Sequence, residues 1–383
     1  MKNKMIYLDI TLETVGPLFV GAGKRYEKSE YILDAYGNIC YIMDTLKMFN
    51  GLKKLNLLGE YEKWVLSEPK NVNLFNFIKE NNIRAAEYGK WAKYQFPVTN
   101  ASALSNAEIM PFVKDAYNMP YIPGSSLKGA VRNAILNSEL LDSDDMEDIA
   151  SRTERSVDHF DNRKKKAYLA GEAAEIDTRL FHTLRRVDER GKEIKAGNAV
   201  NSVFQGFRIS DSKPLPHNAL GLYQKIDSLP DGNVRKLPIL RECIKPGVKI
   251  AFTAEIDPNI FPYSTDDILR CIDEMYSNEQ EKFLRNFPKM PAYSGNMIYV
   301  GGGSGYITKT AVYSLFKDKD RAVRNASVIL DNTDSKNKGR KVGKHLDDPS
   351  KYGVSPHMRK MTVSNGNKYE FGLCRIDFSE KDI

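Results

Sequence analysis

Apolar and polar positions alternate from the start of the chain. Residues 5 to 15, MIYLDITLETV, place Met5, Tyr7 and Ile10 among β-favouring neighbours and predict a strand that runs into the turn GPLFVGAGK, Gly16 to Lys24. Further strands are expected at Tyr31 to Leu33 and, after the Tyr36-Gly37-Asn38 turn, at Ile39 to Met43. The period then lengthens: Leu46, Phe49, Leu52, Leu55, Trp64, Phe75, Phe77 and Ile78 mark residues 44 to 95 as helical. In YIPGSSLKGAVRNAIL, Tyr121 to Leu136, Pro123 and Gly124 break an extended segment. Leu127, Ala130, Val131, Ala134 and Ile135 recur at helical spacing after it, with Ser125 or Ser126 as the cap.

Residues 141 to 197 lose this order. They carry DSDDMED, the run Arg163-Lys164-Lys165-Lys166 and LFHTLRRVDERGKEIKAG, and their mixed signs predict solvated helices in an inserted, partly mobile lobe. A strand is expected within SVFQGFRISDSKPL, where Val203, Phe207 and Ile209 lead to Asp211 and a proline-rich turn, and again in LGLYQKI at 220 to 226. KPGVKIAFTAEIDP at 245 to 258 reads as a strand launched from a Pro-Gly turn. A helix at about 265 to 286 follows, with Ile268, Leu269, Ile272, Met275 and Phe283 on its apolar face. Then come an apolar strand, a glycine loop from Gly301 to Tyr306, a helix starting near Thr308, a polar lysine-rich loop at 331 to 360 and a last strand at Tyr369 to Phe378. This order is α+β with segregated antiparallel sheets, for which the ferredoxin-like split βαβ unit is the natural candidate.

Composition narrows the partners. The 383 residues are 41% hydrophobic and 28% charged, and 57 Lys and Arg against 50 Asp and Glu leave a net charge of +7, which favours a polyanion. Cys40, Cys243, Cys271 and Cys374 are scattered without a CxxC or zinc-site spacing, so reduced, buried thiols are expected and no metal or cofactor. The N-terminus lacks the apolar core of a signal peptide and nothing approaches a membrane span, so a soluble cytoplasmic protein is expected.

The candidate chemistry is that of phosphate binding. Unpaired N–H groups at the start of the 125 to 138 helix, with Lys128 and Arg132 one turn apart, suit a phosphate oxygen, although the same residues serve an ordinary helix packing on a sheet. Gly301-Gly302-Gly303-Ser304-Gly305-Tyr306 and Gly21-Ala22-Gly23-Lys24-Arg25-Tyr26 both fail the dinucleotide pattern at its third glycine, and PGSSLKG is not a P-loop. What remains are loops that allow close backbone approach to a ligand or to another chain. Lys336, Lys338, Arg340, Lys341, Lys344, Lys351, Arg359 and Lys360, interleaved with Tyr352, can follow a phosphate backbone. His159, His182, His217, His345 and His357 stand outside any nucleophile signature and are read as solvated. Asp144, Asp145, Glu147 and Asp148 lack calcium-loop spacing and are read as a solvated helix start.

VGPLFVGAGK at 15 to 24, YIPGSSLKGAVRNAIL at 121 to 136 and FRISDSKP at 207 to 214, followed in order by IKPGVKIAFTAEID and GGGSGYITKT, resemble the RAMP proteins of CRISPR effector complexes. SPHMRKMT at 355 to 362 and the closing FGLCRIDF are most similar to the subunit that caps the guide's 3′ end in type III-A (Csm) effectors. The resemblance implies two RRM-like modules, residues 1–245 with helical insertions at about 44–95 and 141–197, and residues 246–383, with the boundary somewhere in 215–246. It implies crRNA gripped by its backbone, a docked RAMP backbone subunit, host trimming nucleases as further partners, and a role in maturing the guide's 3′ end without catalysis. The residues assigned to RNA are Gly21, Gly23, Lys24, Arg25, Gly124, Ser125, Ser126, Lys128, Arg132, Gly301, Gly302, Gly303, Ser304, Gly305, Lys309, Arg359 and Lys360. The alternatives are a metal-independent endoribonuclease of the same superfamily with His159 or His182 as general base, and a purely structural adaptor.

Overall fold

The computed structural model describes residues 4–67, 73–99, 101, 104, 107–161, 163, 167–288, 290–291, 293–334 and 345–381. Within them the strands are β1 (Ile6–Thr14), β2 (Tyr31–Asp34), β3 (Ile39–Met43), β4 (Ala92–Pro97), β5 (Glu108–Met110), β6 (Phe207–Ile209), β7 (Leu220–Ser228), β8 (Val234–Ile244), β9 (Lys249–Ile256), β10 (Met297–Tyr299), β11 (Arg359–Ser364), β12 (Asn367–Glu370) and β13 (Leu373–Glu380). They form one sheet of order β10-β13-β1-β9-β6, a second of order β12-β11-β7-β8-β5 and a third of order β2-β3-β4. Every pairing is antiparallel except β5 with β8. The mixed α+β architecture with antiparallel sheets agrees with the sequence reading.

Each five-stranded sheet draws strands from both sides of residues 215–246. In the first, β1 lies between β13 and β9, with Ile10 opposite both Phe378 and Phe252. In the second, β11 and β12 join the β7–β8 hairpin, which itself occupies most of that segment.

The first sheet forms the core because its strands alternate. Leu8, Ile10 and Leu12 of β1 are buried, while Tyr7, Asp9 and Thr11 point the other way and are exposed. Against this face pack the helices Gly124–Asp142 and Thr265–Lys282, which also contact each other. All five positions expected on the first helix's apolar face are buried, and each large one contributes about 1.5–3 kcal/mol. The second helix starts at a reciprocal Ser264–Asp267 capping box.

Several local expectations are corrected. Residues 92–95, read as helical, belong instead to β4. The strand near residue 207 is only three residues long, because Val203–Gly206 turns as a 3-10 helix. The last strand is two, β12 and β13. After the glycine loop the helix is broken, with Ile307–Lys309 and Val312–Leu315 preceding the long helix Lys319–Asp334.

The charged stretch 141–197 is a solvated lobe only in part: residues 185–197 are exposed apart from half-buried Ile194, whereas the helical part is packed. Its helices Glu147–Asp158 and Ala170–Phe181 bury Ile149, Ala150 and Ile176 in one cluster with Phe316, Ala322, Val323 and Ala326. Its charges face partners: Arg321 pairs with Glu147 and Glu154, Arg324 with Asp158, and Asp148 with Arg152 and Arg179. Mixed charge on an amphipathic helix thus marks inter-helix pairing here as well as solvation. Lys164, Lys165 and Lys166 lie outside the described residues, as do Lys336, Lys338, Arg340, Lys341 and Lys344. All four cysteines are buried and free. Among the described residues no helix is long and apolar enough to cross a membrane.

Candidate nucleic-acid interface

Two segments far apart in sequence set the start of the helix Gly124–Asp142. Ile122 N donates to Ser212 Oγ (2.9 Å) and Ser212 N to Ile122 O (2.9 Å), zipping the YIPGSS segment to RISDS. Gly124 N then donates to Asp211 Oδ1 (2.8 Å). The cap is therefore the Asp211 carboxylate; the helix follows Pro123, and neither Ser125 nor Ser126 caps it as expected. Gly124 is required by contact: a Cβ there would stand 2.3 Å from Ile209 O and 2.4 Å from Ser210 O. With the cap supplied from the side, Ser125 and Ser126 face an open groove.

The opposite wall is the glycine loop after β10. Gly301, Gly303 and Gly305 have φ of 73°, 99° and 117°, a region side chains rarely adopt. Gly302 N donates to Phe19 O (2.7 Å), and a Cβ on Gly301 would lie 2.2 Å from that oxygen. The close approach that these glycines permit is, at Gly301, to the chain's own VGPLF segment. Gly21, Ser125, Ser126, Arg132, Gly302 and Lys309 are among the residues around the resulting groove of about 460 Å³.

The groove's charge is positive but partly spoken for. Arg132 pairs with Asp177 and lies over the rings of Phe181 (4.9 Å) and Phe204 (5.5 Å). Lys128, expected beside it on the phosphate, instead donates to Phe204 O (2.7 Å) and is not among the groove's lining residues. Burial, then the neighbouring Arg208 and Arg132, depress its ammonium below the ordinary lysine range. Lys309 is exposed on the rim, its pKa lowered by desolvation against the opposing pull of Glu279 and Cys374.

Glu279 lies behind this wall, 4% exposed, and neither carboxylate oxygen has a hydrogen-bond partner among the described residues. Burial and then the Glu370 charge push its pKa up to about 8, with Lys309 pulling the other way. Glu279 is accordingly protonated at neutral pH and does not cancel Lys309. The folded state then holds a proton that the unfolded chain has released, so this group's contribution to stability falls as pH rises from about 4.5 to about 8. Glu279→Gln should flatten the pH dependence of thermal unfolding over that window by on the order of 1 kcal/mol per pH unit. An unchanged slope would show that Glu279 is ionised.

The remaining assigned residues do not converge on the groove. Arg25 pairs with Glu108 (2.7 Å) at the surface, Lys24 lies over the Tyr26 ring, and Gly23 stands in open space. Ser304 Oγ accepts from Thr308 Oγ1 (2.7 Å). Lys360 donates to Asp227 Oδ1 (2.7 Å), and Arg359 is buried against Glu370 through Nε–Oε1 (2.9 Å) and Nη2–Oε2 (2.8 Å). Arg359 is a structural cation, since its guanidinium is spent inside the protein.

Two groups escaped sequence reasoning. Arg241 of β8 is buried between Phe19 and Phe371, with Nε and Nη1 unpartnered among the described residues, and its Nη1 packs under Gly303, 3.1 Å from where a Cβ would be. In an alternating strand nothing distinguishes it from a surface arginine. The other group corrects the expectation that the histidines are solvated, which among the five holds only for His159, the one exposed. His345 Nδ1 lies 2.9 Å from Asp348 Oδ2 and His357 Nδ1 2.6 Å from Oδ1, while Ser355 Oγ donates to Oδ2 (2.9 Å). His345, Asp348 and His357 are the one group among the described residues with a metal site's composition. Their spacing is that of hydrogen bonds around a carboxylate, whose pKa stays below the ordinary range although burial opposes it. His182 has both ring nitrogens engaged, with Asp177 and Ala196 O.

A sequence model of the RAMP superfamily matches residues 11–377. The chain is 29% identical to the CRISPR system protein Csm5 of Streptococcus thermophilus, covering 84% of this chain and 83% of that one. It is 24% identical to Csm5 of Mycobacterium tuberculosis, over 96% of each. Among solved structures, a chain of the cryo-EM Csm–crRNA–target RNA ternary complex of a type III-A system superposes with a TM-score of 0.62 at 20% identity, covering 97% of this chain and 100% of that one. The crystal structure of T. onnurineus Csm5 gives 0.60 at 20% identity, over 95% and 99%.

Proposed function

The chain belongs to the RAMP superfamily, and from that premise we propose that it is a non-catalytic crRNA-binding subunit of a type III-A CRISPR interference complex. In this reading it caps the 3′ end of the guide and is needed for maturation of that end and for assembly with neighbouring RAMP subunits. The observation that carries the reading is the groove between the helix start at Ser125 and Ser126 and the glycine loop. Its donors are the hydroxyls of Ser125 and Ser126, Arg132 and Lys309, which suit phosphate oxygens and ribose hydroxyls. A wall of glycines and backbone reads no base edge, as a protein that accepts any guide sequence requires. The relatives named Csm5 support the assignment to this complex. The engagement of both nitrogens of His182 disfavours that residue as a general base.

Lys309→Ala should weaken binding of single-stranded RNA about tenfold near 0.1 M salt, alike for unrelated sequences, and reduce the slope of log K against log salt by about 0.7. Fluorescence anisotropy over a salt series checks this. Unchanged affinity and slope would remove Lys309, and with it the groove, from the RNA path.

A further inference from the structure

Behind the groove lies a second cavity of about 330 Å³, and the two share Asn133, Leu136 and Lys309 along one edge. We propose that this second cavity takes one unstacked nucleobase of the RNA whose backbone occupies the groove, a proposal that rests on the reading of the groove given above. Its walls differ in kind from the groove's. Leu136, Ile176, Phe316 and the half-buried ring of Tyr306 make it largely apolar, where the groove offers glycines, serines and cations. Thr153, 5% exposed, lines it with a hydroxyl that finds no hydrogen-bond partner among the described residues.

A nucleotide matches this division. Its phosphate belongs beside Lys309 and Arg132, and its base presents apolar faces to aliphatic and aromatic side chains and a polar edge to a hydroxyl. Because a threonine hydroxyl both donates and accepts, Thr153 can meet a hydrogen-bonding edge of either polarity, which keeps the cavity tolerant of sequence. Glu172, which also lines the cavity, accepts from Ser156 (2.5 Å), and its carboxylate repels a phosphate that would enter instead. The edge shared through Lys309 favours a base over a side chain of a neighbouring protein, since the cation at the mouth pairs with the backbone that carries the base.

The test uses the full-length protein and a series of RNA oligonucleotides, each with a single abasic position, with anisotropy as the readout. Loss of the base at one position should weaken binding roughly tenfold, while loss at the others changes little. Ala173→Trp, at an exposed position on the cavity wall, should remove this position dependence by filling the space, and Thr153→Val should reduce it without altering shape. Salt-sensitive binding with no position dependence in the abasic series overturns the nucleobase site and leaves the groove reading standing. Absence of salt-sensitive binding overturns both. Ala173→Trp protein that binds every oligonucleotide like wild type, but no longer joins its neighbouring subunit, assigns the cavity to a protein side chain and also overturns the proposal.

Discussion

Arg359→Ala should destabilise the protein by about 3–5 kcal/mol, enough to leave much of it unfolded or insoluble at 37 °C. The guanidinium forms a two-pronged pair with Glu370 on the neighbouring strand, and both side chains are more than nine-tenths buried. Removing one partner leaves a carboxylate stranded in low dielectric, and this one already adds to the burial that disfavours the ionised form of Glu279 and raises the Tyr299 hydroxyl. Arg359→Lys keeps the charge but loses the fork geometry, so it should fall between alanine and wild type. Urea unfolding monitored by circular dichroism decides the matter. An Arg359→Ala protein with wild-type midpoint and weakened RNA binding would return this residue to the RNA surface, where sequence reasoning placed it.

Gly124→Ala should cost on the order of 3 kcal/mol, an effect far above the usual price of one methyl. The new Cβ would collide with Ile209 O and Ser210 O, backbone atoms that cannot rotate away. Separating the two segments would also draw Asp211 off Gly124 N and leave the helix start uncapped, in the wall of the groove. Gly129, in the same helix, is the control: nothing lies within 4 Å of a Cβ there, so Gly129→Ala should be neutral or stabilising by up to about 1 kcal/mol. Equal midpoints for the two variants in thermal unfolding would contradict the packing described for Gly124.

Local pattern was the legible part of this chain. The strand at residues 5 to 15, the buried face of the helix from Gly124 and the helix from Thr265 follow from periodicity, which depends on residues a few places apart. Which strands neighbour one another was not legible, because alternation fixes the face a side chain takes and says nothing of its partner strand. The pairing of β1 with β13 joins the two ends of the chain. The site divided in the same way. Ser125, Ser126, Arg132, Gly302 and Lys309 do line one groove, whereas the cations Lys128, Arg132 and Arg359 also find partners 76, 45 and 11 residues away in Phe204, Asp177 and Glu370. A cation's availability depends on such distant partners, so counting basic residues overstates the number of free cations. The same blindness hid the cap at Asp211, the buried Arg241 and the carboxylate shared by His345 and His357.

We propose that the groove holds the guide near its 3′ end. The most direct test is to purify the complex from a host expressing the whole CRISPR locus, with wild-type chain or with Lys309→Ala, and to sequence the 3′ ends of the bound RNA. Discrete ends are expected with the wild-type chain and longer or ragged ends with the variant, the complex otherwise assembling. Identical ends in both, or a wild-type chain recovered free of RNA and of RAMP partners, would contradict it.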